Sequence, residues 1–148
     1  MADASKTVII YTDGGCDPNP GAGGWGAVML FGDHRKELSG GASKSTNNRM
    51  ELTAAIEALA SLKRTCRVVL HTDSEYLKKG FTEWMPKWRQ NGWRRKGGAI
   101  KNLDLWKRLD EAVSGHDVEW VWVPAHTGIF ENERCDELAR IEIAKLKR

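Results

Sequence analysis

The sequence predicts an α/β domain: a mixed five-stranded sheet flanked by helices, with a basic helical segment inserted late in the chain. Three observations carry this. Three strand-like runs come first, then a helix, a strand, two short helices, a longer helix, a fifth strand and a last helix. Two of the runs, residues 8–12 and 68–72, are continuous β-branched and apolar stretches of the kind buried on both faces of a sheet. Finally, Leu52, Ala55, Ile56, Leu59 and Leu62 recur at helical spacing.

The elements follow in order. The first strand, around Val8-Ile9-Ile10-Tyr11-Thr12, runs into a turn-rich loop, Gly14-Gly15-Cys16-Asp17-Pro18-Asn19-Pro20-Gly21. A second strand over residues 24–31 and a third over residues 37–41 are close enough to be antiparallel neighbours. A polar loop, residues 43–48, leads into the helix of the Leu52–Leu62 stripe, and a fourth strand spans residues 67–72. A short helix starts at Ser74. Pro86 suits the first position of another, which Asn91-Gly92 ends. Residues 102–113 form a helix with Leu105, Trp106 and Leu109 inward, residues 118–123 a fifth strand, and residues 132–147 the last helix.

Composition narrows the classes. A chain of 148 residues suits one domain, taken as residues 1–148, with one substantial core. No apolar run approaches the ~20 residues of a membrane span, and the start Met1-Ala2-Asp3-Ala4-Ser5-Lys6 lacks a secretory apolar core. A soluble, cytoplasmic, monomeric protein is expected. Three widely spaced cysteines, Cys16, Cys66 and Cys135, argue against a disulfide framework or a zinc knuckle. Gly21-Ala22-Gly23-Gly24-Trp25-Gly26 matches the dinucleotide-binding pattern, but a strand follows it where that pattern needs a helix.

The net charge of +3 is unevenly spread. Residues 78–101 hold eight basic side chains against Glu83 alone, a local +7 that leaves −4 for the rest. Trp84, Trp88 and Trp93 fall in the same stretch. Cations interleaved with aromatics suit a phosphate backbone with sugar and base faces. A solvated face with inward-packed tryptophans is the plainer alternative.

Acidic residues supply the chemistry. Tyr11-Thr12-Asp13-Gly14 and Thr72-Asp73-Ser74 both drive a strand into Thr-Asp and stop at a small residue. Each Asp alone suits a turn; together, at matching ends of neighbouring parallel strands, they repel unless a cation lies between them. Glu51 and Asp136 sit in the first turns of the first and last long helices, where an acid is also favoured by the helix dipole. As a set, four carboxylates suit hard divalent cations and the phosphodiester chemistry of a two-ion site. Gly14 and Ser74 would then leave room for a nucleic-acid backbone.

Tyr11-Thr12-Asp13-Gly14, Thr46-Asn47-Asn48-Arg49-Met50-Glu51, Thr72-Asp73-Ser74 and Glu131-Asn132-Glu133-Arg134-Cys135-Asp136 resemble the elements of bacterial type 1 ribonuclease H. Order and spacing agree from about residue 7 to residue 140. The resemblance implies a ribonuclease H-like fold with a basic handle. It also implies endonucleolytic cleavage of the RNA strand of RNA/DNA hybrids with Mg²⁺ or Mn²⁺, two ions per site with substrate bound. The ends left are 5′-phosphate and 3′-hydroxyl, with little sequence preference.

By the same resemblance Asp13, Glu51, Asp73 and Asp136 are the metal carboxylates, with Asp13 between the ions. His126, in Pro124-Ala125-His126-Thr127-Gly128, matches the mobile catalytic histidine that assists proton transfer or product release. Backbone groups from Gly14 to Cys16, with Asn19, Asn47 and Asn48, match positions facing the RNA minor groove. Lys44, Thr46 and Asn102 stand at a DNA-phosphate pocket, Trp84 against DNA sugars. Lys87, Trp88, Arg94, Arg95, Lys96 and Lys101 form the handle. The chain departs from the family at Glu75, where Gln is common, and on both sides of His126. Its handle is also about one residue shorter than in the enteric-type pattern.

Overall fold

The structure is a computed structural model and describes residues 7–124 and 129–147. Five strands, β1 (Thr7–Cys16), β2 (Gly21–Phe31), β3 (His34–Ser45), β4 (Arg67–Thr72) and β5 (Asp117–Trp122), form one sheet in the order β3-β2-β1-β4-β5. β1, β2 and β3 pair antiparallel, while β4 pairs parallel with both β1 and β5. The helices are α1 (Asn47–Ala60), α2 (Glu75–Lys79), α3 (Met85–Gln90), α4 (Leu103–Ser114) and α5 (Phe130–Leu146). The mixed sheet predicted from the order of elements is therefore the one that forms.

The two faces of the sheet are covered unequally. On one face the fully enclosed residues of β1 and β4, Ile10, Val68 and Leu70, pack with Leu52, Ala55, Ile56 and Leu59 of α1 and with Leu105, Trp106 and Leu109 of α4. On the other face α5 lies across β1, β2 and β3, where Cys135 and Leu138 meet Val28. The expectation that β1 and β4 are buried on both sides is met on the first face only. Ile9, Tyr11, Val69 and His71 are half-buried, because one helix cannot cover five strands.

Edges and ends differ from the sequence expectation: β1 runs on to Cys16 and β2 starts at Gly21, so the turn-rich loop expected from Gly14 to Gly21 is short, and α1 ends at Ala60, before Leu62. β3 spans twelve residues, and the polar loop predicted for residues 43–48 shrinks because Gly21 still pairs with Ser45. As an edge strand β3 exposes polar side chains such as Lys44, so it lacks the apolar alternation that marks an interior strand. Between α2 and α3 the helix does not stop. It continues through a π-helical turn, Gly80–Trp84, in which the Met85 N–H donates to Gly80 O. Pro86 has no N–H, and its ring would clash with the carbonyl four residues back in a regular helix; the wider turn relieves both. The last helix begins at Phe130, two residues before the predicted start.

Beyond α3 the chain turns tightly. The Trp93 N–H donates to Trp88 O at 2.7 Å, Trp93 takes a left-handed φ of 63°, and a bridge joins Arg95 to Gly98. This turn leaves Arg94, Arg95 and Lys96 exposed to solvent.

Candidate active site

β1 and β4 run parallel with Thr7 level with Arg67 and Tyr11 level with His71. Carried two residues further, that register sets Asp13 level with Asp73. Glu51 arrives from α1. Ligand oxygens of Asp13, Glu51 and Asp73 all lie within 4.8 Å of one another.

Gly14 makes the approach of α1 possible. A Cβ at Gly14 would overlap the backbone of Met50 and Glu51, so the helix can touch the strand only because this residue has no side chain. The Gly14 N–H donates to Asp13 Oδ1 at 2.9 Å and also to Glu51 Oε1, locking both carboxylates. The space that Gly14 leaves is thus filled by α1, not held open for a ligand backbone. Ser74 likewise acts locally. It caps α2, its Oγ accepting from the Leu77 N–H at 3.0 Å.

The electrostatics record the crowding. Burial, then the negative charges of Asp73 and Asp136, push Asp13 up to about 6, against the lowering effect of hydrogen bonds that Asp13 accepts from Glu51 and from the Gly14 N–H. Glu51 is the most enclosed of the three. Burial, followed by the charge and hydrogen bond of Asp13 and the charge of Asp73, holds it well above the usual carboxylate range. Like charges forced together in a poorly solvated place favour a cation or a proton between them. The donors are all carboxylate oxygens, the set that hard divalent ions such as Mg²⁺ or Mn²⁺ prefer.

Asp136 stands apart from this trio. It lies near enough for its charge to act on Asp13, but its own carboxylate pairs with Arg140 at 2.9 Å, one helical turn on. It also sits in the second turn of α5, as Glu51 does in α1, so neither is a first-turn acid placed for the helix dipole. His126 lies outside the described residues.

Around the trio, the expected substrate-facing residues fall into two groups. In the first, Asn47 Oδ1 accepts from the Cys16 N–H at 2.6 Å, and the Asn47 N–H donates to Asn19 Oδ1 at 3.1 Å. This ties the β1–β2 loop to the start of α1, beside half-buried Asn48. In the second, Thr46 caps α1 by accepting from the Arg49 N–H, and the Arg49 guanidinium reaches Asn102 Oδ1 at 3.1 Å and Asp104 Oδ2 at 2.8 Å. Asn102 takes a left-handed φ of 60° and donates to the Tyr76 hydroxyl at 3.0 Å, which also accepts from Trp106 Nε1. Sequence patterns alone do not mark Tyr76. Arg49 is visible in the Asn-Asn-Arg motif, but its partners lie more than fifty residues away.

The handle tryptophans face inward. Trp84, Trp88 and Trp93 form a chain of rings at 6.0 and 6.4 Å, and both Trp84 and Trp88 pack edge-on against buried Trp106. They join the handle to the core, whereas Lys87, Arg94, Arg95, Lys96 and Lys101 are exposed. All three tryptophans are half-buried, so part of each ring still reaches solvent beside those cations.

Comparison with known proteins agrees with this architecture. The family model RNase H matches residues 5–144. The chain belongs to the ribonuclease H family. It is thus a ribonuclease, a hydrolase of phosphodiester bonds. It is 60% identical over 136 residues to a ribonuclease H of Pseudoalteromonas atlantica, covering 91% of this chain and 89% of that one. Among solved structures it is similar to LC9-RNase H1, a type 1 RNase H with the type 2 active-site motif. The TM-score there is 0.85 and the identity 34%, over 99% of this chain and 76% of that chain. LC11-RNase H1, solved in complex with an RNA/DNA hybrid, shares the fold at a TM-score of 0.70 and 24% identity, over 95% of this chain and 99% of that one.

Proposed function

We propose that this ribonuclease H hydrolyses the RNA strand of RNA/DNA hybrids endonucleolytically, leaving 5′-phosphate and 3′-hydroxyl ends, with little sequence preference. The observation that carries the reading is the Asp13–Glu51–Asp73 cluster in a ribonuclease H chain. Asp13, Glu51, Asp73 and Asp136 are the residues that would hold Mg²⁺ or Mn²⁺, two ions per site with hybrid bound. Bound there, the metal would supply activation of the attacking water and stabilisation of the departing oxygen.

The protein groups prepare that chemistry. The Gly14 N–H holds Asp13 and Glu51 in one orientation before substrate arrives. The Cys16–Asn47–Asn19 linkage, with Asn48, presents backbone and amide groups to the 2′-hydroxyls of the RNA strand, which is how a hybrid is told from DNA. Lys44, Thr46 and Asn102 grip a phosphate of the DNA strand, and Arg49 and Tyr76 hold Asn102 in place. Trp84 lies against DNA sugars, and Trp88 sets the handle on which Lys87, Arg94, Arg95, Lys96 and Lys101 meet the backbone. Such phosphate contacts give affinity and register without base readout. His126 serves as the proton-transfer or product-release residue, and the enzyme acts as a cytoplasmic monomer.

Labelled RNA/DNA hybrid, double-stranded RNA and double-stranded DNA, each incubated with Mg²⁺ and separately with chelator, test the reading. Only the RNA of the hybrid, and only with metal, should be cut. Cleavage of double-stranded DNA, or of hybrid in chelator, would overturn it.

A further inference from the structure

Three consecutive residues of α5 act on three different partners. Arg134 forks onto Glu37 of β3, Nε to Oε2 at 2.7 Å and Nη2 to Oε1 at 3.0 Å. The Cys135 thiol donates to Tyr11 O of β1 at 3.2 Å. Asp136 lies near the carboxylate trio without belonging to it.

The Glu37–Arg134 fork belongs to a network. Arg35 reaches the same Glu37 carboxylate at 2.8 Å and Glu131 at 2.9 Å, so two arginines from β3 and α5 share one acid across the seam. Arg134 also meets Glu137. Isolated surface ion pairs contribute little, but a bidentate arginine fork within a network holds geometry well. Residues two apart on a helix point to nearly opposite sides, so the Arg134 fork and the Asp136 carboxylate leave α5 on opposite sides of its axis.

We propose that the Glu37–Arg134 pair is a positioning element for metal binding: it seats α5 so that Asp136 comes within reach of a cation held by Asp13, Glu51 and Asp73. The inference rests on the metal-site reading above.

Charge alone predicts something different, which makes the idea testable. Removing the cationic Arg134 should tighten a nearby cation through Coulomb's law, and removing the anionic Glu37 should loosen it. Positioning requires both changes to loosen it.

The test is Mn²⁺ binding to the hybrid-free protein by titration calorimetry, for the unaltered chain and for Arg134→Ala, Glu37→Ala, the double variant, Arg134→Lys, Asp136→Asn and Arg108→Ala. Arg108 pairs with Glu57 between α4 and α1, away from α5, and serves as the control. Both alanine variants should weaken Mn²⁺ at least about threefold, less than the roughly tenfold or more lost with partners bonded directly to a ligand. The double variant should be no weaker than either single one, as expected of a pair acting as one unit. Arg134→Lys keeps the charge and the stem but not the fork, and should weaken binding too. The control should bind as the unaltered chain does. Unchanged or tighter binding in Arg134→Ala would overturn the proposal. Unchanged binding in Asp136→Asn would instead overturn the metal-site reading beneath it.

Discussion

Replacing Asp13 by Asn should make the metal-free protein more stable while abolishing cleavage. Asn keeps an oxygen that can accept from the Gly14 N–H and gains an amide that can donate to Glu51, but it removes a negative charge from between Glu51 and Asp73. Asp13 titrates at about 6 against an ordinary 3.8, raised first by burial and then by its acidic neighbours. At about 1.4 kcal/mol for each tenfold change in proton affinity, that gap is worth roughly 3 kcal/mol above the folded pKa. The sign follows from linkage. A carboxylate whose folded pKa is raised contributes its full stability below the unfolded value and loses it as pH rises through the folded one. Asp13→Asn should therefore gain up to about 3 kcal/mol at about pH 7.5, and almost nothing at about pH 4. Urea unfolding in chelator at both pH values measures this. A chain of this size should also melt roughly 6–12 °C higher at the upper pH. Mg²⁺ should narrow the difference, since only the unaltered site binds it well and gains from mass action. A gain of equal size at both pH values, or none at the higher one, would refute the like-charge argument.

Further outcomes can be measured independently. In chelator, the unaltered protein should lose stability as pH rises from about 4 to about 7, the range spanned by Asp13, with Glu51 acting in the same direction, and Mg²⁺ should restore it. Stability that climbs steadily over that interval would contradict the crowded-carboxylate account. Glu37, lowered to about 2 by hydrogen bonds from Arg134 and then Arg35, acts in a separate window: its contribution is present above its unfolded pKa and is lost as pH falls through about 2. Neutralising Arg94, Arg95 and Lys96 together should weaken hybrid binding and lower the log–log salt slope by roughly one per lost phosphate contact, with saturated turnover largely kept. An unaltered slope would mean these exposed cations do not meet phosphate. Gly80→Ala should destabilise the fold despite the ~1 kcal/mol that Ala gains in a helix, because the added Cβ falls on the buried Trp106 ring and overpacking costs about 1–3 kcal/mol. Thermal melting decides its sign.

Patterns carried by neighbouring residues were legible without the structure. The Leu52–Leu59 stripe, the apolar runs of β1 and β4 and the cationic stretch at residues 78–101 all express local periodicity or local charge. The paired Thr-Asp strand ends also translate into one place, because parallel pairing in register is enough to set Asp13 and Asp73 level. Less legible was the long edge strand β3, whose many exposed polar residues hide its alternation, and the π-helical turn before Pro86, where two weak helix signals merge into one continuous element.

Packing between distant elements decided the rest. Glu51 joins the trio because Gly14 lets the backbone of α1 rest on β1, while Asp136 stands outside it, paired with Arg140 of its own helix. Trp84 and Trp88 pack on buried Trp106 and Trp93 packs on Trp88, while their cationic neighbours stay exposed. A chain's residue types state which chemistry is available, but distances of a few ångströms between elements come from close-packed interiors, where one missing side chain or one shared carboxylate sets the approach.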